Sequence, residues 1–167
     1  EKVDVELIKG FNKHRFAKFM QMVKDTKKEF LLMNKLEGRV DTETDEVTKN
    51  FVRGGGILKS IYEASNDFKV NINGLWQSIT PEHLPKFVTE LQGDGGEVML
   101  AKKTYQNMAI SDRKVVFISL VDPNISRYNR SDIIVKNQNF AESMAEFFEQ
   151  CWNKSETAEE FSRNFTK

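Results

Sequence analysis

The chain is poor in the residues that staple, cleave or coordinate. It holds a single cysteine, Cys151, so an internal disulfide is excluded and a reducing, cytoplasmic setting is expected. Only two histidines occur, His14 and His83, which leaves few groups for general-base or metal chemistry near neutral pH. Charge of either sign is not in excess: 25 Lys and Arg face 25 Asp and Glu. The field of the whole molecule therefore offers no general attraction to DNA or to an anionic membrane. No apolar run approaches the roughly 18 residues that a membrane span requires, and no signal peptide opens the chain. The first residue is Glu1 rather than Met, which suggests a piece excised from something longer.

What remains is the composition of one soluble folded domain. With 167 residues, 39% hydrophobic and 30% charged, the chain has the ordinary size and balance for a single core. Apolar spacing predicts a first helix from about Gly10 to Glu29, with Phe16, Phe19, Met20 and Val23 on one face after Phe11. Glu29 to Asn34 is a short continuous apolar run, expected as a central buried strand and the first of the sheet. Lys35 to Asn50 is polar and acidic, expected as a loop leading into a short helix. Its carboxylates lack the glycine turn and ligand spacing of a calcium loop, so no metal is expected. Gly54, Gly55 and Gly56 precede a strand rather than a helix and lack a following Gly-Lys-Ser/Thr. They read as a helix stop, not as a phosphate cradle, and no cofactor is expected.

Ser65 to Ile79 is the most irregular segment. With Phe68 and Trp76 it is open to two readings, a pocket lid at the strand ends or a cap on the core. Thr80, Pro81 and the residues to Gln92 are expected as a helix, with Thr80 as its cap, His83 on its exposed side, and Leu84, Phe87, Val88 and Leu91 inward. The second half reads as four strands, 97–101, 107–110, 115–122 and 131–137, each bounded by turn residues. A last helix begins near Gln138 and carries Phe140, Met144, Phe147, Phe148, Cys151 and Trp152.

Tyr105 to Asp122 reads YQNMAISDRKVVFISLVD. This resembles the phosphodiesterase motif of the phospholipase D superfamily: His, any residue, Lys, four residues, Asp, then six residues and Gly-Ser-any-Asn. Here Tyr105 holds the His place and Asn107 the Lys place, Asp112 is retained, Ser119 and Leu120 stand for Gly-Ser, and Asp122 stands for Asn. In that family the His attacks phosphorus and the Lys stabilises the oxygens. A phenol and a neutral amide replace neither. The order of elements, and the run from Asp112 to Ser155 ending in a Phe- and Trp-bearing helix, resemble the degenerate phospholipase D-like domains of TrmB-type and related archaeal and bacterial regulators.

That resemblance implies an α/β fold over residues 1–167, a phospholipase D-like half-domain with a mixed central sheet flanked by helices on both faces. It implies no catalytic residues, and an effector-sensing and dimerisation domain of a transcriptional regulator that meets DNA only through a domain absent from this chain. A homodimer would turn the former catalytic cleft into a crevice for a small-molecule effector. Tyr105, Asn107, Asp112, Ser119, Asp122, Arg127, Arg130 and Trp76 are the expected ligand-binding residues. Asp112 is equally open to a role in turn geometry, and the arginines to exposure or to a structural pair with Asp132. Two alternatives stand beside this reading: a phosphodiesterase or nuclease with a rearranged site, in which His14 or His83 approaches Asp112, and a sensory domain of a signalling kinase.

Overall fold

A computed structural model describes residues 3–10, 13–40, 43–92 and 95–165, with the side chains of 40, 43–45, 91 and 127 outside that description. Seven strands form one mixed sheet, in the order β1 (Asp4–Lys9), β10 (Ser131–Lys136), β9 (Val115–Leu120), β8 (Asn107–Ser111), β2 (Glu29–Lys35), β4 (Ile57–Glu63), β7 (Glu97–Ala101). The last three run parallel; the remaining pairings are antiparallel. The continuous apolar run EFLLMN becomes β2 in the interior of the sheet, where Phe30, Leu31 and Met33 are buried on both faces.

Side chains alternate across the sheet and fill two layers. On one face Leu31, Met33, Ile61, Met108, Ile110 and Val116 pack beneath α4 (Gln138–Lys154) through Ala141, Ala145 and Phe148. On the other, Phe30, Ala109, Phe117, Ile134 and Ile8 meet Met22 and Val23 of α1 (Lys13–Asp25) and Val47 and Phe51 of α2 (Glu43–Arg53). Leu84 and Val88 of α3 (Leu84–Gln92), with Ala158 of α5 (Ala158–Phe165), close a third cluster against Val98 and Leu100 of β7. Helices therefore cover both faces, as the resemblance implied.

Several boundaries differ from the expectation. The sheet begins before the first helix: β1 is an edge strand with Val5 and Leu7 exposed and only Ile8 buried, so its apolar signal is too thin to read. The first helix is shorter than expected, because Thr26 turns its hydroxyl onto the Met22 carbonyl at 2.7 Å and Glu29 already belongs to β2. Met20 and Val23 are buried on its inner face, whereas Phe16 is 39% exposed; Phe11 lies outside the described residues. The helix after Thr80 starts only at Leu84, with the Thr80 carbonyl accepting from Leu84 and the Thr80 hydroxyl bonded to the His83 ring. Helix α5, beyond the last one expected, is joined to β7 by reciprocal backbone bonds between Leu100 and Glu156.

The Ser65 to Ile79 segment is more regular than its sequence suggests. It forms a hairpin of β5 (Lys69–Ile72) and β6 (Leu75–Ser78), extended to a three-stranded sheet by β3 (Arg39–Val40). Asn73 and Gly74, at φ 53° and 83°, make its turn, a pairing suited to tight hairpins. The glycine stop holds: backbone N–H groups of Gly54, Gly55 and Gly56 close α2, and a Cβ on Gly56 would lie 2.2 Å from the Phe51 ring. Among the described residues no helix is long and apolar enough to cross a membrane.

Candidate functional site

Four neighbouring strands each end their α1-facing side on a polar residue where the pattern elsewhere is apolar. Asn34 follows Leu32 on β2, Asn107 precedes Ala109 on β8, Ser119 follows Phe117 on β9, and Asp132 precedes Ile134 on β10. Register sets them side by side, with Ser119 opposite both Asn107 and Asp132. They floor a small pocket of about 50 Å³ at the ends of these strands, walled by Arg15, Lys35, Glu37, Val121 and Arg130.

Two ion pairs shape it. Arg15, reaching from α1, donates from Nε to Asp132 at 2.7 Å and from Nη2 to the Ser119 hydroxyl at 3.3 Å, with its guanidinium over the Phe117 ring. Asp132 is a carboxylate with a side chain only 4% exposed, so this contact is what permits its burial. Arg130 donates from Nη1 to Glu37 at 2.7 Å, while its Nε is buried without a partner. Asp132 therefore pairs with Arg15, and Arg130 pairs with Glu37 rather than with Asp132. Asn107 accepts from the Lys35 backbone N–H at 3.0 Å, which fixes the amide at the pocket floor.

Of the eight expected site residues, the fold brings Asn107, Ser119 and Arg130 to this pocket. Tyr105 is 70% exposed beyond its lining, beneath the Lys103 ammonium. Asp122 accepts from the Asn124 N–H within its own loop. Trp76 sits on the small sheet under Arg39. The backbone of Arg127 lies in a short 3₁₀ turn, and its side chain falls outside the described residues.

Asp112 lies at the opposite end of β8 from Asn107, as the first central residue of the turn into β9. Both Asp112 and Arg113 there have positive φ, 51° and 54°. Its carboxylate accepts from the backbone N–H groups of Lys27, Lys28 and Glu29 at 2.8, 2.8 and 2.9 Å. Burial alone would raise its pKa, but the three N–H donors outweigh that and hold it below the ordinary carboxylate value. The geometry is that of a clamp between the hairpin and the start of β2.

Neither histidine lines the pocket: His14 is exposed on α1, and the His83 ring is bonded to Thr80. Among the described residues no group of three or more His, Cys, Asp or Glu is arranged to hold a metal. A larger space of about 310 Å³ lies at the other end of the sheet, between Lys59, Arg113, Glu149 and Trp152. Its charges are mutually committed, Arg113 bridging Glu29 and Glu149 at 2.9 and 2.5 Å. The polar row is therefore the better candidate, despite its size. Arg15, Asn34, Lys35 and Glu37 were missed because no motif contains them; the readable signal was the polar residue closing each inward strand face.

No family model matches the chain, and no curated protein sequence matches it. Solved structures do. TrmBL2, an archaeal chromatin protein with a novel mode of DNA binding, superposes with a TM-score of 0.65 at 20% identity, over 92% of this chain and 54% of that one. NucT from Helicobacter pylori gives 0.65 at 11% identity, over 93% of this chain and 99% of that one. Nuc from Salmonella typhimurium, a phospholipase D family member, gives 0.64 at 12%, over 92% and 97%. The chain thus spans about half of TrmBL2 and nearly all of the other two. At these identities the likeness is one of fold: the chain has the phospholipase D-like architecture found in both settings.

Proposed function

We propose that the chain is a catalytically inactive effector-sensing and dimerisation domain of a transcriptional regulator. The observation that carries this reading is the content of the pocket. It stands at the Lys place of the motif, yet the side chains around it are arginine, lysine, amide, hydroxyl, carboxylate and one valine, with no histidine or cysteine among the described residues. Such groups bind and orient; an arginine held at full charge is a poor base, and no activated nucleophile adjoins it. The fold shared with TrmBL2 covers 54% of that protein, which is consistent with DNA being read by a separate domain.

A second copy would pair over the pocket rim. Tyr105, Leu120, Val121, Ile125 and Tyr128 are all at least 43% exposed at this end of the sheet, an apolar surface suited to an isologous contact. Turnover of a chromogenic phosphodiester is the direct test of inactivity, with sedimentation equilibrium for the dimer. No hydrolysis above the uncatalysed rate is expected; hydrolysis abolished by Asn107→Ala or Arg130→Ala would overturn the reading in favour of a rearranged phosphodiesterase. A metabolite screen by thermal shift tests the receptor role, since a compound that binds the folded state raises its melting temperature.

A further inference from the structure

We propose that Glu37 is a built-in stand-in for the ligand: the pocket takes a small hydroxylated molecule bearing an oxyanion, carboxylate or phosphate, which replaces Glu37 on Arg130. This rests on the receptor reading above and names the ligand class of the same site.

The asymmetry of the two arginines points to it. Arg15 is committed through Nε and Nη2 to Asp132 and Ser119 and further anchored over Phe117. Arg130 contacts Glu37 through Nη1 alone, and its Nε is left buried with no acceptor. A buried donor on a cation without a partner is costly. The edge formed by Nε and Nη2 is the one that grips a carboxylate or phosphate with two parallel bonds, stronger than a single-point contact. An incoming oxyanion that takes this edge satisfies the stranded donor, which Glu37, fixed by the chain between β2 and β3, does not.

The rest of the lining fits a hydroxylated body. Asn34, Asn107 and Ser119 present amide and hydroxyl groups beside Arg130, and among the described residues no aromatic ring lines the pocket. The charged groups facing Arg130 across the pocket are Arg15, Lys35, Glu37 and Asp132, three cations with Arg130 included against two carboxylates. Glu63 stands behind Lys35 at 3.8 Å, with its other oxygen bonded to Thr104. Displacement of Glu37 leaves an uncompensated cation for the ligand to neutralise. The volume of about 50 Å³ accommodates the oxyanion and its neighbouring hydroxyl, with the remainder of the molecule toward the open rim.

The test uses isothermal calorimetry on the whole chain with two probes, malate for a hydroxy-carboxylate and glycerol 3-phosphate for a phosphate monoester. Glu37→Gln removes the internal competitor and is expected to tighten binding of the preferred probe about tenfold, the scale of one charge-assisted bond. Arg130→Lys keeps the charge but loses the fork, and is expected to weaken it by about the same factor. Circular dichroism melts confirm that both variants fold. Binding unchanged or weakened in Glu37→Gln overturns the stand-in while leaving a receptor in place. Binding of neither probe to wild type nor to Glu37→Gln overturns the ligand class. Phosphodiester turnover, by contrast, overturns the receptor reading itself.

Discussion

Replacing Asp112 separates a structural role from a ligand-binding one. Its carboxylate accepts three backbone N–H groups, from Lys27, Lys28 and Glu29. Two of those donors are exposed, so each bond falls in the lower part of the usual range, and together they contribute about 2 kcal/mol. The residue also holds φ at 51°, where aspartate is tolerated and alanine costs about 1 kcal/mol more. Asp112→Ala is therefore expected to lose about 3 kcal/mol, which for a domain of this size lowers the melting temperature by about 6–12 °C. Asp112→Asn keeps the backbone preference and one acceptor and should lose about 1 kcal/mol. The folded pKa lies below the ordinary 3.8. The charge-dependent stabilisation is thus fully present above that value and disappears as pH falls through the folded one, so wild type and Asp112→Asn should converge in acid. Urea titrations at neutral and acidic pH measure both effects. A loss under about 0.5 kcal/mol for Asp112→Ala, or a changed ligand affinity in Asp112→Asn at the far end of β8, would refute the clamp.

Three further outcomes follow from the packing. Arg15→Ala strands the Asp132 carboxylate, 4% exposed, and should cost about 3 kcal/mol in urea unfolding, relieved when Asp132 is also replaced by Asn; an unaltered midpoint in the single variant contradicts the pairing. Gly56→Ala drives a methyl within 2.2 Å of the Phe51 ring and should lower stability by about 1–3 kcal/mol, measured in the same way. Burial raises the Cys151 thiol above its ordinary 9.0, with nearby Lys154 pulling it partly back. Its modification by a disulfide reagent should be slow at neutral pH and climb only in strongly alkaline buffer, whereas a fast reaction at pH 7 would show an activated thiolate.

The motif spacing around Asn107 and Asp112 pointed to the right architecture while joining residues that the fold keeps apart. Spacing along a strand counts residues but not distance, and β8 places Asn107 and Asp112 at its two ends. The hairpin of β5 and β6 escaped notice because Leu75 to Ser78 is exposed throughout and shows no buried alternation. Conversely, the glycine stop after α2 and the inward Leu84 and Val88 of α3 were legible, since local backbone freedom and helical period act within a few residues.

What the amino-acid order determined alone is therefore local and one-dimensional: an interior apolar strand from Glu29 to Asn34, a helix closed by the glycines at 54–56, and a motif spacing whose His and Lys places are filled by Tyr105 and Asn107. The pocket was decided only in three dimensions. Arg15 and Asp132 are 117 positions apart, and Arg130 and Glu37 are 93 apart. No periodicity links such pairs; they meet because the antiparallel register of β8, β9 and β10 aligns the polar strand ends beneath α1, where a carboxylate can be buried only if a guanidinium arrives from elsewhere in the chain.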